Sequence, residues 1–330
     1  MRPATLPFVL TGATGTGKTE VALALAERLG AEIVCADSRQ LYRGLDVATG
    51  KPTSAERARV PHHGFDTLDP AQTSSAGEYA RTTRPILAHL EADATPALLV
   101  GGTGLYLRAL HAGLAEVPEI PAEVRDRVRA QLAEQGPAAL HGELAALDPI
   151  LAGRLAPLDR QRVSRGLEVV LATGKPLSDW QADAQHDPEP WFWVALGRPR
   201  ADHADFLARR ARAFFDGGLL EEVAALRAAG VQRDAPGLDA LGYREALDVL
   251  EHTRSIDDAV LVLTRHTVHY AKRQATWLRG EERRISLVFR EVGVHESAGQ
   301  VALELAERYE QALVTLGRRP LAGRAGRLSR

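Results

Sequence analysis

The stretch Thr11–Thr19, TGATGTGKT, limits what this chain can fold into more than any other. It follows the apolar run Phe8-Val-Leu10 and precedes an amphipathic segment, which reads as strand, glycine-rich loop, helix. Gly12-x-x-x-x-Gly17-Lys18-Thr19 has the spacing of a phosphate loop. Its glycines let N–H groups converge on phosphate oxygens, the helix amino terminus adds partial positive charge, and Lys18 adds a full one. Gly12, Ala13, Thr14, Gly15, Thr16, Gly17, Lys18 and Thr19 thus form the candidate cradle, with Thr19 placed to reach a Mg²⁺ bridging two phosphates. Which phosphate it holds is left open by the loop alone.

The flanking pattern predicts an α/β fold. Residues 6–11 read as a strand and 17–29 as a helix with Ala22, Leu25, Ala26 and Leu29 on its apolar stripe, ended by Gly30. Residues 32–36 and 97–100 read as further strands, separated by a helix over 77–91 that Pro85 is placed to kink. That rhythm predicts a parallel sheet flanked by helices, with ligands bound beyond the carboxyl ends of its strands. From about 116 to 190 no strand is evident, and helices are predicted over 121–135, 137–147 and 160–172. Strands return at 191–196 and 284–289, with helices through 279 between them. The predicted organisation is a discontinuous α/β core, 1–115 and 191–316, carrying an all-helical insertion at 116–190. An Arg- and Gly-rich tail, 317–330, is expected to be disordered.

Bulk properties narrow the class. With 330 residues, 45% hydrophobic and 25% charged, the chain can bury a sizeable core. The net charge of -2 excludes a globally basic nucleic-acid binder but leaves room for local basic patches. The lone Cys35 excludes an internal disulfide or cysteine-rich zinc site and is expected to be a buried core residue. No apolar run is long enough to span a membrane and no leader is evident, so a cytoplasmic location is expected. Lysine occurs only at 18, 51, 175 and 272 in an arginine-rich chain, which marks positions where a compact ammonium serves better than a planar guanidinium.

Three further motifs carry chemistry. The second strand ends in Asp37-Ser-Arg-Gln40, where a carboxylate beside a phosphate loop can bind metal, take a proton from a nucleophile, or cap a helix. The Gly50-Lys51 pair downstream is either a second anion contact or a plain turn. The strand at 97–100 ends in Gly101-Gly-Thr-Gly104 instead of an acidic metal ligand, which argues against a motor or switch hydrolase. Its glycines permit close backbone approach, and the Thr103 hydroxyl can orient a ligand or cap the next helix. Arginines gather at 160–165 and 272–279 among Gln, Ser and Trp, as phosphate and base contacts require or as a solvated helix face would show. His62 and His63 lack metal-ligand spacing.

Taken in order, GATGTGKT, ADSRQLYRGLDVATGKP, PHH, LVGGTGLYLRAL, DRQRVSRGLEV, DALGYREAL and AKRQATWLRG resemble the bacterial tRNA dimethylallyltransferase family, over residues 6–279. The resemblance implies a P-loop nucleotide-kinase-like core with a helical insertion that embraces the anticodon stem-loop of tRNA. It also implies transfer of a dimethylallyl group from dimethylallyl diphosphate to N6 of the adenosine 3′ of the anticodon, in tRNAs reading codons that begin with U. Asp37 then acts as base, Thr103 positions the adenine, Lys18 and Mg²⁺ stabilise the leaving diphosphate, and Thr19 and Asp37 are candidate metal contacts. The tRNA-facing residues it implies are Asp37, Ser38, Arg39, Gln40, Thr103, Arg125, Gln161, Arg162, Val163, Ser164, Arg165, Asp239, Ala240, Leu241, Gly242, Tyr243, Arg244, Lys272 and Arg273. A monomer is expected on the same ground. The chain departs from the family at Ala13, usually proline, at Gly15, usually alanine, and at Arg39, often apolar. The alternatives are a prenyltransferase of free adenine nucleotides, a P-loop small-molecule kinase and a non-catalytic RNA-binding module. The last leaves the phosphate loop without a purpose.

Overall fold

The computed structural model describes residues 5–184, 188–293 and 295–318. The expected disordered tail lies, from residue 319 on, outside the described residues. In chain order the elements begin β1 (Phe8–Gly12), α1 (Lys18–Leu29), β2 (Glu32–Cys35), α2 (Ser54–Arg57), β3 (His62–His63), α3 (Ala76–Ala92), β4 (Ala97–Val100) and α4 (Gly104–His111). Then come α5 (Ala122–Leu147), α6 (Pro149–Ala152), α7 (Arg160–Thr173) and α8 (Leu177–Asp183). The remainder is β5 (Phe192–Gly197), α9 (Arg200–Asp216), α10 (Leu219–Ala228), α11 (Tyr243–Leu250), α12 (Ile256–Glu281), β6 (Leu287–Glu291) and α13 (Ala298–Thr315).

The strands form one parallel sheet in the order β3-β2-β4-β1-β5-β6. Alternate residues of each strand serve opposite faces. Phe8 and Leu10 of β1, Ile33 of β2, Leu98 of β4 and Val194 and Leu196 of β5 pack with α1 and α13. Val9, Val34, Leu99 and Trp193 point the other way, against α3 and α4, in a cluster that Cys35 joins at the end of β2. Both faces are covered, which is why these strands read as continuous apolar runs. Cys35 is fully buried, as its apolar setting predicts.

The chain divides into two compact units, 1–110 with 189–330, and 111–188. The described residues of the second unit contain helices and no strand, and Val128, Leu140, Leu144, Val163 and Leu167 form its core. Within α5 the backbone breaks at Gly136 (φ 78°), just before Pro137, where the sequence separates two helices. Helix α3 continues through Pro85 as a single element. The last strand starts at Leu287, three residues later than predicted, because α12 runs on to Glu281 and a turn follows. The strand β3, the helix α13 and the short helices α2, α6 and α8 escaped the sequence reading. The two-residue strand β3 is too short to show a period. Helix α13 does carry an apolar stripe, Val301, Ala302, Leu305, Tyr309 and Leu313, and the Tyr309 hydroxyl bonds both the N–H and the carbonyl of Leu6.

Candidate active site

The strand order determines the site. β2, β4 and β1 are neighbours, so the loops leaving their carboxyl ends, after Cys35, Val100 and Gly12, lie side by side. Between the β2 and β4 loops, Ser38 N–H donates to Thr103 Oγ1 at 2.9 Å and Thr103 N–H donates to the Ala36 carbonyl at 3.2 Å. Thr103 Oγ1 also lies 3.3 Å from Ser38 Oγ. The hydroxyl therefore faces the Asp37 loop. Glycine is obligatory here, since a Cβ on Gly101 would fall 2.1 Å from the Ala36 carbonyl.

In the phosphate loop Gly12, Gly15 and Gly17 all have positive φ (144°, 80° and 81°). The N–H groups of Gly15 through Thr19 have no acceptor among the described residues, a run of donors ending at the amino terminus of α1. Lys18 Nζ curls back to the carbonyls of Gly12 and Ala13, at 2.9 and 2.7 Å. Burial pushes the Lys18 ammonium down to about 8, with Asp37 pulling it back up and Arg210 pushing it further down. Burial also lowers Arg210, against the pull of Glu20 and Asp37. Lys18 and Arg210 thus interact electrostatically with the Asp37 carboxylate, Arg210 also with Glu20, and the Tyr270 phenol is raised by burial and then by Asp37.

Asp37 begins a turn. Its Oδ1 accepts the Arg39 N–H at 2.9 Å and its carbonyl accepts Gln40 N–H at 3.2 Å, and no helix follows, which removes the helix-cap reading. Oδ2 has no partner among the described residues. Arg39 reaches the Pro236 carbonyl at 3.2 Å and Asp239 at 3.9 Å, and Asp239 also pairs with Arg244. Gln40 is engaged internally, its amide donating to the carbonyls of Thr49 and Gly50 at 3.0 Å each. Lys51 is buried against Tyr42 O, Asp46 and Asp66, a plain structural hub with no role at the phosphate loop.

Of the remaining sequence-predicted positions, Leu241 and Gly242 lead into α11, Arg244 is exposed on it, and Lys272 and Arg273 are exposed on α12. Among these positions the side chains of Ala240 and Tyr243 are buried in a core formed with α9 to α12, and that of Val163 in the core of the second unit. Val163 and Tyr243 lie on inward faces of α7 and α11, and Ala240 in extended backbone (φ -78°, ψ 149°) just ahead of α11. In the second unit Arg125, Gln161, Arg162 and Arg165 are exposed and Ser164 is half-buried. The sequence reading missed Arg210, Tyr270, Gln274 and His203 as site residues. Arg210 is one of many arginines, and nothing local distinguishes it. The AKRQATW motif, read as RNA-facing, instead packs two of its members into the scaffold: Gln274 bonds two loops, and Trp277 covers Gly104, where a Cβ would fall 2.3 Å from the indole.

Comparison with known proteins places these features in context. The family model described as "IPP transferase" matches residues 40–281, and "Isopentenyl transferase" matches residues 7–61. A tRNA dimethylallyltransferase of Phenylobacterium zucineum is 44% identical over 83% of this chain and 89% of its own length. That of Koribacter versatilis is 43% identical over 84% and 90%. Among solved structures, a tRNA isopentenylpyrophosphate transferase from Bacillus halodurans superposes with a TM-score of 0.67 at 28% identity, covering 95% of this chain and 99% of that one.

Proposed function

The chain belongs to the IPP transferase family, the tRNA dimethylallyltransferases, and on that footing we propose a full reading of its reaction. It transfers a dimethylallyl group to an adenosine of tRNA. The donor is dimethylallyl diphosphate, and the acceptor atom is N6 of the adenosine 3′ of the anticodon in tRNAs that read codons beginning with U. The enzyme works as a cytoplasmic monomer. No helix among the described residues is long and apolar enough to cross a membrane, which is consistent with that location.

The observation that carries the reading is the Asp37 carboxylate beside Lys18 and Arg210, at the mouth of a loop with five free N–H donors. As the allylic carbon–oxygen bond breaks, charge grows on the departing diphosphate, where the N–H run, Lys18 and Arg210 receive it. The N6 lone pair forms the new carbon–nitrogen bond, and the proton that N6 loses passes to Asp37 Oδ2. Thr103 and Ser38 hold the turn that carries Asp37, and Arg39 extends from it toward Asp239. The target base must leave the anticodon-loop stack to reach this point. Exposed Arg125, Arg162, Arg165, Arg244, Lys272 and Arg273 supply phosphate contacts, so binding weakens steeply with salt.

A Mg²⁺ fits the residues present. Thr19, at the start of α1, and the Asp37 carboxylate are hard oxygen donors of the kind Mg²⁺ takes, and they would hold it. Bound there, the ion would supply charge neutralisation to the leaving diphosphate.

The test is incubation with Mg²⁺ and radiolabelled dimethylallyl diphosphate in the presence of unmodified tRNA, ATP or AMP. Label in tRNA alone is expected. Label in the nucleotide and none in tRNA defeats the reading in favour of a nucleotide prenyltransferase.

A further inference from the structure

The backbone of Thr14 is held on both sides, through two successive peptide units. Its N–H donates to Gln274 Oε1 at 2.8 Å, and its carbonyl lies 2.8 Å from His203 Nε2. A carbonyl can only accept, so His203 carries its proton on Nε2. Gln274 is 7% exposed and uses its other end as well, donating from Nε2 to the Gly102 carbonyl at 3.0 Å. That contact leaves no room for a side chain at Gly102, where a Cβ would fall 2.2 Å from Gln274 Nε2. His203 stands in the first turn of α9, and a Cβ on Gly15 would meet Leu207 at 2.7 Å and His203 at 3.3 Å. Ala13 is buried with Leu207 and Ala271, so α9 and α12 close on the loop together.

The loop needs such restraint. Three of the six residues from Gly12 to Gly17 are glycines at positive φ, and glycine loses more conformational freedom on ordering than any other residue. The run of donors without an acceptor among the described residues begins at the Gly15 N–H, which shares its peptide plane with the Thr14 carbonyl that His203 holds. Turning that peptide over would aim a carbonyl into the cradle and misdirect the N–H groups that follow. We propose that His203 and Gln274 are positioning residues that fix the two peptides meeting at Thr14, hold the N–H run of Gly15–Thr19 in its anion-binding arrangement, and through Gly102 tie the phosphate loop to the Thr103 loop. Neither touches the reacting atoms. The inference rests on reading the loop as a diphosphate cradle.

The test uses the full chain with inorganic diphosphate and Mg²⁺, titrated by calorimetry, so it does not depend on turnover. His203→Phe keeps a ring and removes the donor, and diphosphate affinity is expected to fall about tenfold, the order of one lost hydrogen bond to an ordered group. His203→Gln restores a donor and brings affinity back to within about threefold. In turnover assays the KM for the diphosphate substrate rises with His203→Phe while the KM for tRNA stays unchanged. Gln274→Met provides an independent arm: exchange of the Thr14 amide, followed by NMR, accelerates by at least about tenfold. Unchanged diphosphate affinity in His203→Phe, a His203→Gln variant no better than His203→Phe, or slow Thr14 exchange in Gln274→Met overturns the proposal. Normal diphosphate behaviour with no transfer to tRNA would sink the proposed function and leave the clamp standing.

Discussion

The chain carries the dipeptide Gly-Lys at two places near its phosphate-binding end, Gly17-Lys18 and Gly50-Lys51, and uses the two lysines in opposite ways. Lys18 Nζ contacts only the carbonyls of Gly12 and Ala13, with no carboxylate within ion-pair distance among the described residues. Lys51 Nζ is enclosed by Asp46 and Asp66, at 2.6 Å each, and by the Tyr42 carbonyl. One ammonium is left without a carboxylate partner among the described residues, and the other is consumed by the fold. Lys51 donates to three oxygens in different directions from a compact charge, which a planar guanidinium would not match, and this accounts for a lysine in an arginine-rich chain. Through the turn it closes, Lys51 still serves the site: the Thr49 and Gly50 carbonyls hold Gln40, and Gly50 packs beside Arg210.

This contrast can be broken experimentally, and the largest effects are expected on turnover. Lys18→Met should lower single-turnover transfer by about 10³-fold or more, because it removes a charge from the developing leaving group. Its thermal unfolding should move upward, by about 1 kcal/mol of stability, since burial disfavours the ammonium it removes. A Lys18 variant that unfolds more easily would assign it a structural role like that of Lys51.

Asp37→Ala should cost roughly 10²–10⁴ in turnover while leaving tRNA affinity within a few-fold, measured by filter binding. Lost tRNA binding with turnover retained would make Asp37 a positioning group. For Lys51→Met the expected effect is on stability, a loss of roughly 3 kcal/mol from carboxylates left without their cation, read by denaturant unfolding. Its folded fraction should bind diphosphate within a few-fold of wild type. Normal stability with diphosphate binding abolished would collapse the distinction between the two lysines.

The smallest effect is on pH dependence. Lys18 in the folded chain titrates at about 8, below its ordinary 10.5, so the unfolded state binds more protons between those values. Its contribution to stability therefore rises with pH across that window. Diphosphate affinity moves the other way, falling by up to about tenfold per pH unit above 8 as the bound anion demands a charged lysine. Calorimetric titrations at pH 7, 8 and 9 should show the fall in wild type and a flat profile in Lys18→Met.

Much of the fold is legible locally because the strongest signals are short. The strand at 97–100 and the break at Gly136 are read directly, since apolar runs and a Gly-Pro pair act within a few residues. The start of β6 is not, because where α12 stops depends on what it packs against. In the site, Lys18, Asp37 and Thr103 stand out as loop residues with reactive side chains at strand ends. Arg210, Tyr270, His203 and Gln274 do not, because each sits on a helix whose sequence reads as an ordinary surface and acquires meaning only from the loop it meets. Val163, Ala240 and Tyr243 show the reverse, motif members whose side chains the fold buries.

By itself the sequence determined that a glycine-rich loop follows a buried strand, that this loop has the spacing of a phosphate cradle, and that a parallel α/β sheet carries it, all consequences of spacing and backbone sterics. The tertiary structure alone decided that β2, β4 and β1 are neighbours, and thereby that Asp37 and Thr103 stand beside the loop. It also decided which Gly-Lys lysine is paired with carboxylates, and which side chains hold the backbone of Thr14. These are contacts between residues tens to hundreds of positions apart, and local pattern carries no record of them.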